Sequence, residues 1–372
     1  MSRKVKVVAV SGSVQSPSRT LVLVEQLLAA LAEGIASTRI ELTLDRRPVP
    51  DAEVQWTLTQ DGVPPTTSGK VKLAAGSASV TGKLDAPGFL QCRAQFTSAE
   101  KRSYSGLGGA GFEPTKIKPS LPVPADFDAF WARTLDESAR VDLDVQIDPI
   151  PGYPVPEVGV NRLTYTGWAG SRISAWWLVP PGYAPGAVNG RRPVMVFYHG
   201  YSGHKGYVDQ YLGWALQGYC VLAVDVRGQS GDSTDPKAYP GGHATGWMTM
   251  GITDPEHYYY RGAYVDCVRA LDVVCAQPEV DPHRIGITGG SQGGALTLAV
   301  AALDPHKRPR VALADVPYLS HFRRAVEVAS QQEPKQSQHV RWLAMELGGS
   351  NMRQHVEKHG PLPLDVLKSV AN

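Results

Sequence analysis

The stretch Arg284-Ile285-Gly286-Ile287-Thr288-Gly289-Gly290-Ser291-Gln292-Gly293-Gly294-Ala295 decides the fold. Its apolar first part reads as a strand, and the run from Ala295 to Leu303 reads as a helix. Ser291 therefore falls at a strand-to-helix turn. The spacing Gly289, Ser291, Gly293 has a steric cause: a serine held in so tight a turn leaves no room for side chains two residues to either side, where strand and helix pass closest. A hydroxyl in that position projects above the C-terminal edge of a sheet. The N-terminus of the helix sets a positive dipole and N–H groups beneath any negative oxygen that forms beside it. A glycine-rich turn with a merely capping serine is the plainer reading of the six residues alone, and the flanking strand and helix count against it.

Outward from this point strands and helices alternate. Leu163 to Tyr165 and Ile173 to Val179 read as an antiparallel pair leading the sheet. Val194 to Tyr198, Tyr219 to Asp225, Ile285 to Thr288 and Val311 to Ala314 read as strands, with helices over Val208 to Gln217 and Tyr258 to Ala276. That order predicts an α/β fold with the serine after a central parallel strand, and it resembles the α/β-hydrolase arrangement. Before it stand a short helix over Ala125 to Leu135, with Phe127, Phe130 and Trp131 on it, and a glycine- and proline-rich linker over 105–124. Short alternating runs over 52–104, such as Val54 to Leu58 and Phe89 to Ala94, predict a small antiparallel β domain, a sandwich with Trp56 and Phe89 in its core.

The first 48 residues have another texture. An apolar strand, Val5 to Val10, leads through the hydroxyl-rich Ser11-Gly12-Ser13-Val14-Gln15-Ser16-Pro17-Ser18-Arg19-Thr20 into a helix expected from about Leu21 to Glu33. The loop is similar to the phosphate loop of NADPH-dependent FMN reductases, which implies a flavodoxin-like βα unit and a flavin held by Ser11 to Thr20. Such a site needs loops from further parallel strands. The text that follows is different, so the expectation is a lone βα fragment with no cofactor assigned.

Bulk composition narrows the partners. A net charge of +2 and 19% charged residues give no electrostatic footprint for nucleic acid or an anionic membrane. No apolar run has the length of a membrane span, and Met1-Ser2-Arg3-Lys4-Val5 does not lead into a secretory apolar segment, so the expected location is the cytoplasm. Cys92, Cys220, Cys267 and Cys275 lack CxxC spacing and lie in apolar text, as buried free thiols do.

Three motifs then carry a specific resemblance: Gly290-Ser291-Gln292-Gly293-Gly294, Arg227-Gly228-Gln229 and Tyr198-His199-Gly200-Tyr201, with Trp247-Met248-Thr249-Met250-Gly251 and Ala314-Asp315-Val316-Pro317 in support. Over about residues 52–329 the chain resembles the acetyl xylan esterase and cephalosporin C deacetylase family of carbohydrate esterases. The resemblance implies a serine hydrolase for small acetylated carbohydrates or esters that needs no cofactor or metal and often assembles as rings of subunits. It implies attack by Ser291, with the N–H groups of Gln292 and Tyr201 holding the oxyanion. Arg227 and Gln229 read as scaffolding, because a guanidinium can tie several loop carbonyls together.

A serine hydroxyl also needs an imidazole to take its proton and a carboxylate to orient that imidazole. The family places the acid in an Arg-Asp-type loop after a later strand and the base in a late His-Glu pair, and neither motif is found here. Residues 330–372 read as an unassigned helical tail offering His339, His355 and His359, with Glu346, Glu357 and Asp365, while Asp315 ends the strand after the elbow. His355 and His359 stand four apart without the glutamate of a zinc-binding HExxH. The expectations are a hydrolase sheet truncated at its C-terminal edge, impaired or absent turnover, and a composite chain of 1–48, 52–104, 125–329 and 330–372.

Overall fold

The computed structural model describes residues 20–25, 35–44, 47–60, 63–113, 116–118, 122–183, 190–240 and 246–318. These fall into two units that divide between residues 118 and 122.

Among the described residues the first unit has eight strands: β1 (Thr20–Glu25), β2 (Ile35–Leu44), β3 (Arg47–Pro48), β4 (Glu53–Gln60), β5 (Val63–Lys72), β6 (Ser77–Lys83), β7 (Gly88–Thr97) and β8 (Ser103–Phe112). One sheet runs β1-β2-β3 with β6 also on β2, and the other runs β5-β4-β7-β8. Ile40 and Leu42 from the first sheet meet Val54, Leu58, Leu90, Cys92, Ala94 and Phe112 from the second in one buried cluster. Along β7 burial alternates, with Leu90, Cys92 and Ala94 inside and Arg93 and Gln95 outside, the period-two signature of a sheet with one wet face.

Three expectations need correction here. The helix expected from Leu21 is instead strand β1, paired antiparallel with β2 from Thr20↔Leu44 to Glu25↔Arg39. Thr20, Val22 and Val24 are β-branched and prefer the extended chain once a partner strand is on offer, so the leucine spacing misled. The flavodoxin-like βα reading loses its helix at this point, while Val5 to Val10 and Ser11 to Arg19 lie outside the described residues. The linker expected over 105–124 is, up to Phe112, strand β8, matched residue for residue with β7 from Gly88↔Phe112 to Thr97↔Ser103. Its glycines carry no extended preference of their own, so only the ladder reveals the strand. Phe89, expected in the core, is 50% exposed, whereas Trp56 packs partly buried against the cluster.

The second unit opens with helix α1 (Phe127–Ala139) and continues through β9 (Gln146–Pro149), β10 (Gly159–Thr166), β11 (Arg172–Val179), β12 (Arg192–Tyr198), α2 (Asp209–Leu216), β13 (Cys220–Val224), α3 (Tyr259–Cys275), β14 (Val280–Gly290), α4 (Gln292–Leu303) and β15 (Pro309–Asp315). The strands form one sheet in the order β15-β14-β12-β13-β11-β10-β9. β13, β12, β14 and β15 are parallel, and β11, β10 and β9 antiparallel. Helices cover both faces. Phe197 packs against Tyr211 at a tilt and edge-to-face against Trp214 of α2, while the next residue, Tyr198, points the other way and donates its hydroxyl to the Cys267 carbonyl of α3 at 3.0 Å. The four parallel strands bring the ends of β12 and β14 side by side, where chains leave a parallel sheet for their helices and ligands bind. β15 is the outermost described strand of the sheet, with Val311 and Leu313 half exposed.

Helix α3 is buried on nearly every face, and its charged residues are matched one by one. Arg269 donates to the carbonyls of Thr166 at 2.8 Å, Ser138 at 2.5 Å, Val141 at 2.8 Å and Asp142 at 3.2 Å, tying the end of α1 to the end of β10. Arg269→Met keeps a stem of similar bulk but removes the donor from all four carbonyls, of which that of Ser138 keeps its bond from Val141 N–H. We expect it to lower unfolding free energy by about 3 kcal/mol in urea titration, at the usual 1–3 kcal/mol per stranded buried group. A loss below about 1 kcal/mol would show that water replaces the guanidinium there.

Candidate active site

Ser291 sits between β14 and α4 with φ 56° and ψ −117°, a conformation that costs a non-glycine residue about 1–3 kcal/mol. Three backbone hydrogen bonds hold it there. Its N–H donates to the Asp315 carbonyl of β15 at 3.0 Å, and its carbonyl accepts from Ala295 at 3.1 Å and from Tyr318 at 2.9 Å.

The glycines do what their spacing requires. A Cβ on Gly289 would stand 2.5 Å from the Tyr198 carbonyl oxygen, and one on Gly293 would stand 2.0 Å from the same atom. Gly294 is equally pressed, 2.5 Å from the Asp315 carbonyl. Gly290 has no such neighbour: its nearest atom is an Asp315 carboxylate oxygen at 3.8 Å. Thus β12, β14 and α4 approach each other more closely than any side chain permits.

The close approach brings the loop after β12 to the serine. A Cβ on Gly200 would lie 3.9 Å from that of Ser291, so the Gly200-Tyr201 segment flanks the nucleophile on one side as Gln292 does on the other. This loop is pinned to the segment after β13 at several points. Ser202 N–H donates to Gln229 Oε1 at 2.9 Å, and Ser230 Oγ donates to the Ser202 carbonyl at 2.7 Å. Buried Lys205 pairs with fully buried Asp225 at 2.5 Å, and its ammonium lies 5.0 Å from the centre of the Trp176 ring.

His199 is part of the same pinning. Its Nε2 accepts from Val226 N–H at 2.9 Å, which puts the proton on Nδ1, and Nδ1 donates to the Gly200 carbonyl at 2.7 Å. Burial lowers its pKa below the ordinary 6.5, against the opposing pull of that carbonyl. With both nitrogens committed to backbone, His199 holds the loop and is not placed to take a proton from Ser291.

Beneath the loops Arg227 is fully buried and bidentate to Asp266 of α3, at 2.6 and 2.9 Å, and donates to the Trp168 carbonyl at 2.7 Å. Burial works against its charge, but Asp266 and Asp235 outweigh that and hold its pKa above the ordinary value. Gly262 makes room for it, since a Cβ there would stand 2.5 Å from the guanidinium. Gln229 bridges Ser202, Tyr259 and Gln292. The scaffolding roles read for both residues match these contacts.

The structure therefore brings together Ser291, Gln292, Tyr201, Arg227 and Gln229. Asp315 ends β15, where its carbonyl serves Ser291 and its side chain is exposed. His339, His355, His359, Glu346, Glu357 and Asp365 lie outside the described residues. Sequence reading missed Asp266, Tyr260 and the structural role of His199. The signal for Asp266 was a lone acid in the apolar run Tyr264-Val265-Asp266-Cys267-Val268, which demands a buried partner.

A model of the acetyl xylan esterase (AXE1) family matches residues 113–343, well over half of the chain. The chain belongs to the acetyl xylan esterase family. The match begins where β8 ends, leaving the β domain outside it, and runs past residue 329. Acetyl esterase Axe7A of Xylanibacter ruminicola is 31% identical over 280 residues, 73% of this chain and 60% of that protein. The chain thus spans less than two thirds of that relative's length. Among solved structures, the acetyl xylan esterase from Paenibacillus sp. R4 is 40% identical with a TM-score of 0.57, over 68% of this chain and 75% of that one. Acetyl xylan esterase 1 from Thermoanaerobacterium sp. JW/SL YS485 is 29% identical with a TM-score of 0.56, over 68% and 74%. Both are α/β-hydrolases, and this member shares that fold, with seven strands of its large sheet among the described residues.

Two measurements check the geometry. Gly289→Ala and Gly293→Ala should each lower the melting temperature by several degrees or prevent folding, whereas Gly290→Ala should change it little, because only the first two collide with backbone. Equal effects at all three positions would contradict the packing. For His199, whose pKa is lower folded than unfolded, its stabilisation is complete above about 6.5 and is lost as pH falls through the lowered folded value. Wild-type melting temperature should then drop faster than that of His199→Asn between about pH 7 and pH 5. Parallel curves would mean that the imidazole charges freely in the fold.

Proposed function

We propose that this chain is a serine carboxylic-ester hydrolase that removes acetyl groups from acetylated carbohydrates through an acyl-enzyme on Ser291. The observation that carries the reading is the strained Ser291 backbone, wedged between the Gly200-Tyr201 loop and the first turn of α4. Family membership and the names of the similar acetyl esterases support the acetylated carbohydrate as substrate class.

In the first half-reaction Ser291 Oγ attacks the acetyl carbonyl carbon, its proton passes to a base, and the carbonyl oxygen takes up negative charge. The N–H of Gln292 opens α4, where no intrahelical acceptor precedes it, and with the Tyr201 N–H it supplies the donors for that oxyanion. Collapse of the tetrahedral intermediate breaks the ester C–O bond and releases the sugar alcohol with a proton. Water then repeats the sequence on the acyl-serine, releasing acetate and restoring the hydroxyl.

The test uses p-nitrophenyl acetate and acetylated xylo-oligosaccharides. Ser291→Ala should abolish turnover of both, and an organophosphate should label Ser291 and no other serine. Equal rates for wild type and Ser291→Ala would end the proposal.

A further inference from the structure

Gln229 and Gln292 face each other as a reciprocal amide pair in the buried floor of the site. Gln229 Nε2 donates to Gln292 Oε1 at 3.0 Å, and Gln292 Nε2 returns toward Gln229 Oε1 at 3.3 Å. The Ser202 N–H, which can only donate, fixes which end of the Gln229 amide is oxygen, and the pairing then fixes Gln292. The Tyr260 hydroxyl donates to Gln292 Oε1 at 2.6 Å, and Ser202 N–H donates to Gln229 Oε1 at 2.9 Å. Tyr259 completes the set: its hydroxyl accepts from Gln229 Nε2 at 2.9 Å and donates to the Arg227 carbonyl at 2.6 Å.

This pair joins the two halves of the proposed oxyanion hole. Ser202 N–H belongs to the peptide that leaves Tyr201, and the Gln292 side chain hangs from the residue whose own N–H is the other donor. Two N–H groups stabilise one oxyanion only if both reach the same point at about 3 Å. They lie in the segments that follow two different strands, β12 and β14, so their separation is set by the β12–β14 ladder and by the contacts built on top of it, not by the local chain.

We propose that Gln229 is the positioning residue that sets the gap between the Tyr201 and Gln292 oxyanion donors, acting through the amide pair; this rests on the esterase reading above. An amide suits the task because it donates and accepts at once without charge. A carboxylate in its place turns acceptor against acceptor at Gln292 Oε1 and puts negative charge near the oxyanion. A protonated carboxylic acid regains one donor, which can restore the bond to Gln292 Oε1 but not the second one to the Tyr259 hydroxyl.

Gln229→Met and Gln229→Glu separate this role from simple packing. Gln229→Met should lower kcat about a hundredfold, the scale of a group misplaced by about 1 Å, with KM within about threefold of wild type. In Gln229→Glu the ratio of kcat to wild type should rise as pH falls and the carboxyl becomes neutral, a recovery that a purely structural role does not produce. The amide nitrogen resonances of Tyr201 and Gln292 in labelled Gln229→Met should shift from their wild-type positions, a readout independent of turnover. Unshifted resonances together with a kcat within about twofold of wild type in Gln229→Met, or a Gln229→Glu ratio flat with pH, would overturn the assignment. Wild-type hydrolysis that survives Ser291→Ala would instead remove the esterase reading, and the resonances would still decide the geometry. Should Gln229→Met fail to fold, the pH response of Gln229→Glu decides alone.

Discussion

The Tyr198 carbonyl oxygen occupies the space where a side chain at Gly289 or Gly293 would have to go. Everything at the site depends on that closeness. It lets α4 start directly at the tip of β14, forces Ser291 into its costly dihedrals and leaves Gly200 within van der Waals reach of the serine. The strain is sustained because three backbone hydrogen bonds from three directions, Asp315, Ala295 and Tyr318, leave the serine no relaxed alternative.

A nucleophile placed so tightly is useful only on a floor that does not move, and the floor is polar. Arg227 with Asp266, Lys205 with Asp225 and the paired amides of Gln229 and Gln292 are all buried, and each is matched by donors and acceptors. A hydrophobic floor of the same volume would be at least as stable, since buried ion pairs seldom gain net energy over apolar packing. What a polar floor adds is register. A guanidinium with two carboxylate bonds and a carbonyl bond has one orientation, whereas packed leucines have several.

How far the sequence foretold this follows from how local each signal is. The elbow was legible because strand, glycines, serine and helix lie within twenty residues and each has a steric reason. The alternation that set the second unit was legible for the same cause, as apolar runs such as Val194 to Tyr198 are continuous only in strands buried on both faces. β1 and β8 were misread because their evidence is non-local. Leucine spacing in the one and glycine content in the other gave the wrong sign, and only the ladders to β2 and β7 correct it. Within the site, Arg227 and Gln229 were legible as scaffolding, but their partners were not, because Asp266 and Gln292 are 39 and 63 residues away in the chain.

The committed state of His199 reaches into solution chemistry. An acylating reagent aimed at imidazoles attacks an unprotonated ring nitrogen with an accessible lone pair. At His199 that lone pair already holds the Val226 N–H, in a ring that is partly buried. Acylation of the histidine nearest in sequence to the oxyanion loop therefore has to break that hydrogen bond first, which slows it relative to a ring whose lone pair faces water.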